Sequence, residues 1–201
     1  MTKPQLTLSD SYAESAMRRW VRNVVVDLGF CPFAAAVLKQ PDALLVKIVD
    51  GDSRERLQWL LDTLYDLRQK PATETVLMVM PEGLGDFEEF LDFAALADAV
   101  LEQHGFCGEF QLATFHPDYL FAEEPLEQPA DGAAGRDDDA ANYTNRSPYP
   151  ALHILREQSI TDVLKNVAEP ERIPERNIRY ARSIGSRALA QRLRNCFDAI
   201  N

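Results

Sequence analysis

One stretch decides the fold: TVLMVMP at residues 75–81, an apolar run that ends at a proline. Its length and composition are typical of a strand buried on both faces. Residues 44–49 and 110–115 have the same character, and helical patterns fill the intervals from Asp52 or Ser53 to Gln69 and from Asp86 to Gly105. Because strands that alternate with helices are joined by crossovers, this β-α-β-α-β order predicts an α/β domain. We expect a small, mostly parallel or mixed sheet of three to four strands, flanked by helices.

The segments on either side of this core are predicted to be helical. Apolar residues recur at helical spacing from Ser9 or Asp10 to Leu28, and Gly29 ends the pattern. Beyond residue 150 the sequence predicts helices over Ala151–Glu157, Ser159–Asn166 and Glu171–Ile200, with a break near Gly185.

An acidic segment without periodicity lies between residues 122 and 141. Glu, Asp, Pro, Gly and Ala dominate it, so it has almost no large apolar side chain to bury. We predict a solvated, flexible loop inside a single domain that spans residues 1–201.

Composition and charge limit the partners. The chain has 201 residues, of which 46% are hydrophobic and 26% charged, and its net charge is −11. Since an acidic surface repels phosphate, nucleic acid and anionic membranes are not expected partners. No apolar run approaches the ~20 residues of a membrane span, and the N-terminus lacks the apolar core of a secretory signal, so we expect a cytoplasmic protein. Cys31, Cys107 and Cys196 have no paired spacing, which predicts reduced thiols.

Three motifs place reactive or rigid residues in turns. They are LGFCPF at residues 28–33 (motif 1), FHPDY at residues 115–119 (motif 2) and NYTNRSPYPALH at residues 142–153 (motif 3). In motif 1 a proline follows the helix end at Gly29, so Cys31 is predicted on a bend outside any helix. We expect all three motifs to meet at the carboxyl edge of the sheet.

These motifs, in this order, resemble those of the domain of unknown function 1415 family of bacterial proteins. Members of that family carry LGxCPF, FHPxYxF and NYTNRSPYPxxHxLRE, and the resemblance spans residues 10 to about 185. The stretch from Leu126 to Arg136 is longer than the family's link between the second and third motifs. The resemblance implies a bacterial protein, and because the family has no established activity, the resemblance indicates no particular reaction.

Motifs 2 and 3 supply a candidate anion site. His116 follows the third strand at the carboxyl edge of the sheet, where open α/β sheets bind ligands. His153 is predicted in the first turn of a helix, with Arg156 on the same face, and a helix start attracts anions through its free N–H groups. The pattern predicts a pocket for a small anionic molecule with a phosphate or carboxylate group. Its predicted binding residues are Arg146, Arg156, Asn145 and Tyr119.

The candidate catalytic residues are His116, Cys31 and His153. An ordinary thiol near pKa 8.5 needs a neighbouring base to act as a nucleophile, and either histidine can be that base. Together with Asp118, the same residue types suit a metal, but their spacing matches no known ligand pattern. We predict no metal site, and the sequence identifies no cofactor.

Two functions remain open on the sequence. In the first, the chain is an enzyme acting on a small anionic metabolite, and His116, His153 and Arg146 converge on a cleft that water reaches. In the second, it is a non-catalytic binding or regulatory protein whose acidic loop contacts a protein partner. Its motif residues are then a structural scaffold, hydrogen-bonded to the main chain and closed to water.

Overall fold

The structure, a computed structural model, describes residues 8–40, 43–122 and 138–198 and has the predicted α/β architecture. Its helices are α1 (Leu8–Trp20), α2 (Pro32–Val37), α3 (Ser53–Gln69), α4 (Phe87–Gln103), α5 (Glu157–Leu164), α6 (Ile173–Ile184) and α7 (Ser186–Arg194). Its strands are β1 (Leu44–Ile48), β2 (Thr75–Val79), β3 (Phe110–Phe115) and β4 (Ala151–Arg156). A π-helical turn, Val21–Val26, prolongs α1, and 3-10 turns cover Ala140–Thr144 and Pro170–Arg172. Within the described ranges, no helix is both long enough and apolar enough to cross a membrane.

The four strands form one mixed sheet in the order β1-β2-β4-β3. β1 is parallel to β2, whereas β4 is antiparallel to both β2 and β3. β1, β2 and β3 therefore run in one direction and share a carboxyl edge, and β1 and β3 are the two outer strands of the sheet.

The helix predicted over Ala151–Glu157 is wrong, because residues 151–156 form the central strand β4. Its apolar side chains are buried on both faces, so the segment has none of the alternation that distinguishes an amphipathic strand from a helix. Pro148 and Pro150 favour an extended entry into this segment. Pairing with β2 on one side and β3 on the other then provides hydrogen-bonding partners along both edges of the strand.

Helices cover both faces of the sheet, as the sequence predicts. α3 and α4 lie on one face, where Leu60, Leu64 and Phe90 share a core with Met78 and Ile154. We call this the α3/α4 face. The opposite face, the α1 face, carries side chains of α1, α6 and α7 packed against the other side of the strands. Its core includes Met17, Trp20, Val46, Leu77, Ala151, Ala181 and Leu189.

Local signals set several boundaries where the sequence predicts them. The Asp52 carboxylate accepts the Glu55 N–H at the start of α3, and Glu55 accepts the Asp52 N–H, each at 2.9 Å. Asp86 caps α4, where its carboxylate accepts the N–H groups of Glu88 and Glu89, each at 3.0 Å. Gly185, with φ of +87°, separates α6 from α7 and confirms the predicted break.

The C-terminal end of the acidic segment lies within the described residues and packs on the domain. Ala140 and Ala141 are buried in a 3-10 turn. The Asp139 carboxylate accepts the Ala141 N–H at 2.9 Å and pairs with the Arg182 guanidinium at 2.7 Å. Arg182 holds the pKa of Asp139 below its usual range. Residues 139–141 thus belong to the packed domain, and residues 123–137 lie outside the described residues.

We expect Trp20→Ala to lower the free energy of unfolding by about 3–5 kcal/mol, because it empties a core position. The Trp20 side chain is 2% exposed, its ring meets Phe115 edge to face at 4.9 Å, and its Nε1–H donates to the Arg146 carbonyl at 3.0 Å. Urea denaturation measures the loss. The matched control is Trp59→Ala, which removes a partly exposed indole from α3. Equal losses in the two variants would contradict the assignment of Trp20 to the core.

Candidate functional site

His116 is fully buried and both ring nitrogens have main-chain partners. Its Nε2–H donates to the Leu84 carbonyl at 3.0 Å, and its Nδ1 accepts the Asp118 N–H at 3.0 Å. The ring lies 5.2 Å from the rings of both Phe87 and Phe90 on α4. Burial lowers the pKa of His116 below its ordinary value. The imidazole is therefore held neutral, with Nδ1 unprotonated, and it joins the loop after β2 to the turn after β3.

Motif 3 packs directly on motif 2. The His116 N–H donates to the Asn145 carbonyl at 3.2 Å, and the Ser147 N–H donates to the His116 carbonyl at 3.4 Å. The Asn145 amide donates to the Thr114 carbonyl at 3.2 Å, and the Arg146 Nε–H donates to the Tyr119 carbonyl at 3.2 Å. These hydrogen bonds fasten motif 3 to the carboxyl end of β3.

The side chains of Arg146 and Tyr119 are partly buried at this contact. The Arg146 guanidinium lies over the Tyr143 ring at 4.8 Å from its centre. Burial raises the pKa of Tyr119, and a hydrogen bond to the Thr114 side chain partly opposes that shift. The Tyr119 ring packs at 5.2 Å from Phe87, so α4 also contributes to this region.

His153 occupies the middle of β4 and not the start of a helix. Leu77 and Ala113 are its register partners, which places its side chain on the α1 face, the side of the sheet away from the His116 ring. Thr75 donates its only hydroxyl hydrogen to the Ile154 carbonyl, so its oxygen accepts from His153 Nε2–H at 2.7 Å. Burial of the imidazole lowers the pKa of His153 to about 4.

Arg156 ends β4 and binds the C-terminal end of α3. Its guanidinium donates to the carbonyls of Thr73 at 3.0 Å and Lys70 at 3.1 Å, and also to the Leu67 carbonyl. The side chain borders an open hollow of about 290 Å³ that it shares with Glu109 and Glu157. Two carboxylates beside the guanidinium disfavour an anion there. The helix start predicted at His153 is wrong, because residues 151–156 form β4 and the helix α5 begins only at Glu157; the anion site itself stays a prediction.

Cys31 has the predicted extended backbone, with φ of −133° and ψ of 113°, and it precedes α2. Burial raises the pKa of its thiol, although the N–H groups of Ala34 and Phe33 oppose the shift. Two side chains of α6 hold the preceding turn, since Arg176 donates to the Gly29 carbonyl at 3.0 Å and Asn177 to the Phe30 carbonyl at 2.6 Å.

Hydrogen bonds join motifs 2 and 3, and motif 1 shares the core of the α1 face with them through Leu28, Phe30, Phe115 and Tyr149. The turn at residues 28–30 is held by hydrogen bonds to the π-helical turn before it and by Arg176 and Asn177 of α6. α2, which follows Cys31, packs against α5, and α5 starts at the far end of β4 from motif 3. The described ranges contain no group of three or more His, Cys, Asp or Glu side chains placed to hold a metal. His116 and His153 face opposite sides of the sheet, so they do not form one pocket.

Sequence reasoning missed an open groove of about 510 Å³ beside β1. Residues 45–48 of β1 form its floor, and Glu14 of α1 borders it on the α1 face. The wall on the α3/α4 face is a straight stripe of side chains one helical turn apart: Trp59, Thr63, Asp66 and Lys70 of α3. No residue of motifs 1 to 3 lines this groove. Its only signal in the sequence is Lys47, a charged residue inside an otherwise apolar strand.

The wild-type protein is expected to lose stability in acid through His153. The unfolded chain binds a proton at this residue near pH 6.5, and the folded chain binds it only near pH 4. Lowering the pH from 6.5 to 4 should therefore reduce the free energy of unfolding by up to about 3 kcal/mol. Chemical denaturation at a series of pH values measures this loss, to which buried His116 adds in the same direction.

His153→Gln should remove most of this acid dependence, because an amide can still donate to Thr75 but does not titrate. His104→Gln is the matched control, since His104 is exposed at the end of α4. If His104→Gln and His153→Gln flatten the pH profile equally, the His153 imidazole is not its source.

A family model described as a protein of unknown function (DUF1415) matches residues 12–191. No curated protein matches the chain. No solved structure matches it. Because the matched range covers nearly all of the chain, including motifs 1 to 3 and every strand of the sheet, this protein belongs to the DUF1415 family.

Proposed function

We propose that this chain is a non-catalytic binding protein in which motifs 1 to 3 are a structural scaffold. One observation carries the proposal: the polar side chains that the motifs contribute bind main-chain atoms. His116, Asn145 and Arg146 each donate to at least one carbonyl of another segment. A buried polar group that already has its partners is stable only while those partners remain in place. This arrangement suits residues that hold loops together.

The placement of the candidate catalytic residues supports the same proposal. A nucleophile and its base must come within hydrogen-bonding distance, whereas His116 and His153 lie on opposite faces of the sheet and Cys31 precedes a helix that packs near the far end of β4. Burial also keeps the Cys31 thiol protonated, as its raised pKa indicates. A protonated thiol is a poor nucleophile.

We further propose a bacterial, cytoplasmic setting with a protein partner and no nucleic acid. Three free thiols, one of them exposed at Cys107, suit a reducing compartment. A net charge of −11 opposes binding to phosphate backbones. The bacterial origin is inferred from the family resemblance.

Alkylation of the cysteines tests the scaffold against the enzyme. At pH 7 we expect iodoacetamide to modify Cys31 at least about tenfold more slowly than exposed Cys107, because thiolate fraction and access both limit the rate. Mass spectrometry of timed digests measures both rates in one sample, and a urea-unfolded sample supplies the reference in which the two rates converge. Faster modification of Cys31 than of Cys107 in the folded protein would support an activated nucleophile.

Arg146→Ala tests the same proposal at motif 3. The variant loses a charge-assisted hydrogen bond and a cation–π contact, so we expect its free energy of unfolding to fall by about 2 kcal/mol. Arg187→Ala, at an exposed position of α7, is the control and should change stability by less than about 0.5 kcal/mol. A thermal shift of the wild type by phosphate or sulfate that Arg146→Ala abolishes, without loss of stability, would instead assign Arg146 to an anion site.

A further inference from the structure

We propose that the free edge of β1 binds an extended segment of a partner protein as an added strand, with an acidic side chain of that segment paired to Lys47. This inference rests on the proposed binding function and names its surface and the chemistry of its partner. The surface is the groove beside β1, defined above by residues 45–48 and the walls of α1 and α3.

The main chain of β1 has hydrogen-bonding groups to offer. Within the described strands, β2 is its only neighbour. The Ala43 carbonyl accepts the Thr75 N–H at 3.0 Å, and the Val49 N–H donates to the Val79 carbonyl at 2.8 Å. Alternate residues of a parallel strand direct their main-chain groups to the same neighbour. Odd-numbered residues of this segment therefore face β2, and the N–H and C=O groups of Leu44, Val46 and Ile48 face the groove.

The walls of the groove suit a strand better than a compact ligand. α3 on one face and Glu14 of α1 on the other border the edge of β1, leaving a slot whose base is the strand itself. Leu45 and Trp59 are partly exposed in this slot, and both pack on the α3/α4 core. An added strand would cover them while its main chain satisfies the edge of β1.

Charge indicates what the strand carries. Two carboxylates of the groove are already paired, Asp66 with Lys70 at 2.6 Å and Glu14 with Arg18 at 2.8 Å. Lys47 is exposed and makes no ion pair with any described residue. Cross-strand neighbours of opposite charge stabilise a sheet, so the residue opposite Lys47 should be Asp or Glu.

The same lysine disfavours a second copy of this chain. The antiparallel register that pairs all five residues of β1 with another β1 is centred on Val46. In that register the two Lys47 side chains lie diagonally across from each other on one face, where like charges repel. Each copy also carries a net charge of −11. The occupant is therefore a different segment.

The pleat of β1 sets the sequence of that segment. Lys47 and Leu45 point to the same face, two positions apart. An acidic residue opposite Lys47 is thus two positions from a residue opposite Leu45, which should be apolar because it also meets Trp59. The expected pattern is an acidic residue with an apolar residue two positions away.

A short symmetric peptide tests this pattern in either strand direction. The probe is acetyl-Thr-Leu-Thr-Glu-Thr-Leu-Thr-amide, whose Leu, Glu and Leu side chains share one face. Isothermal titration calorimetry with the full chain should show binding, and the same peptide with Lys in place of Glu should bind at least about tenfold more weakly. Two further peptides carry N-methyl groups on alternate residues: one on the Leu and Glu residues, the other on the Thr residues. Only one edge of the probe faces β1, so methylation of the N–H groups on that edge should abolish binding, and methylation of those on the other edge should retain it.

Lys47→Glu should reverse the preference, so that the variant binds the Lys peptide better than the Glu peptide. Lys39→Glu changes the net charge equally at an exposed position outside the groove and should behave as wild type. Circular dichroism confirms that both variants fold. Hydrogen exchange should show added protection at residues 44–48 with the Glu peptide.

Three results with the peptides would overturn the proposal: no binding of the Glu peptide to the wild type, affinities that do not depend on the charge at position 47, or equal effects of the two sets of N-methyl groups. A dimer in sedimentation that dissociates or tightens on Lys47→Glu would assign the groove to a second copy and overturn it as well. None of these outcomes alters the alkylation of Cys31 or the stability of Arg146→Ala. Failure at the groove is thus distinguishable from failure of the scaffold. The expected result remains binding of the Glu peptide with a preference that Lys47→Glu inverts.

Discussion

The buried ring of His116 holds the carboxyl edge of the sheet together. Through its two nitrogens it joins the Leu84 carbonyl, in the loop after β2, to the Asp118 N–H in the turn after β3. Its main-chain groups bind motif 3 at Asn145 and Ser147. An imidazole that loses such partners inside a protein pays a desolvation cost of about 1–3 kcal/mol per group. The edge where many α/β sheets bind ligands is here occupied by the protein's own loops.

The same principle extends to the rest of the molecule. Asn177 of α6 fastens the turn before Cys31, and Arg156 fastens the end of α3, each through main-chain carbonyls. Polar side chains inside and outside the motifs thus supply the hydrogen bonds that these irregular segments do not make with one another. Away from these segments, the groove beside the outer strand β1 leaves main-chain groups of the sheet accessible. The scaffold thus engages the main-chain groups of the loops, and the proposed strand-binding groove leaves those at the edge of β1 for a partner.

Sequence reasoning found the parts of this structure that depend on local pattern. The β-α-β-α-β core, the caps at Asp52 and Asp86, and the extended backbone of Cys31 follow from neighbours along the chain. β4 was beyond such reasoning, because a strand buried on both faces shows no period and its partners lie far away in sequence. His116 and Arg146 donate to main-chain oxygens, and because every residue type has a main-chain oxygen, the sequence does not identify these acceptors. The groove depends on strand order, which places β1 at an edge.

The protonation of His116 tests the scaffold most directly. Long-range ¹H–¹⁵N spectra of selectively labelled protein assign the hydrogen on each histidine ring and follow it through a pH titration. We expect His116 to carry its hydrogen on Nε2 at pH 7 and to have a pKa below the ordinary histidine value of 6.5, since the ring is buried and both nitrogens are engaged. A ring that titrates at or above pH 6.5, or that exchanges between tautomers in contact with water, would contradict this expectation.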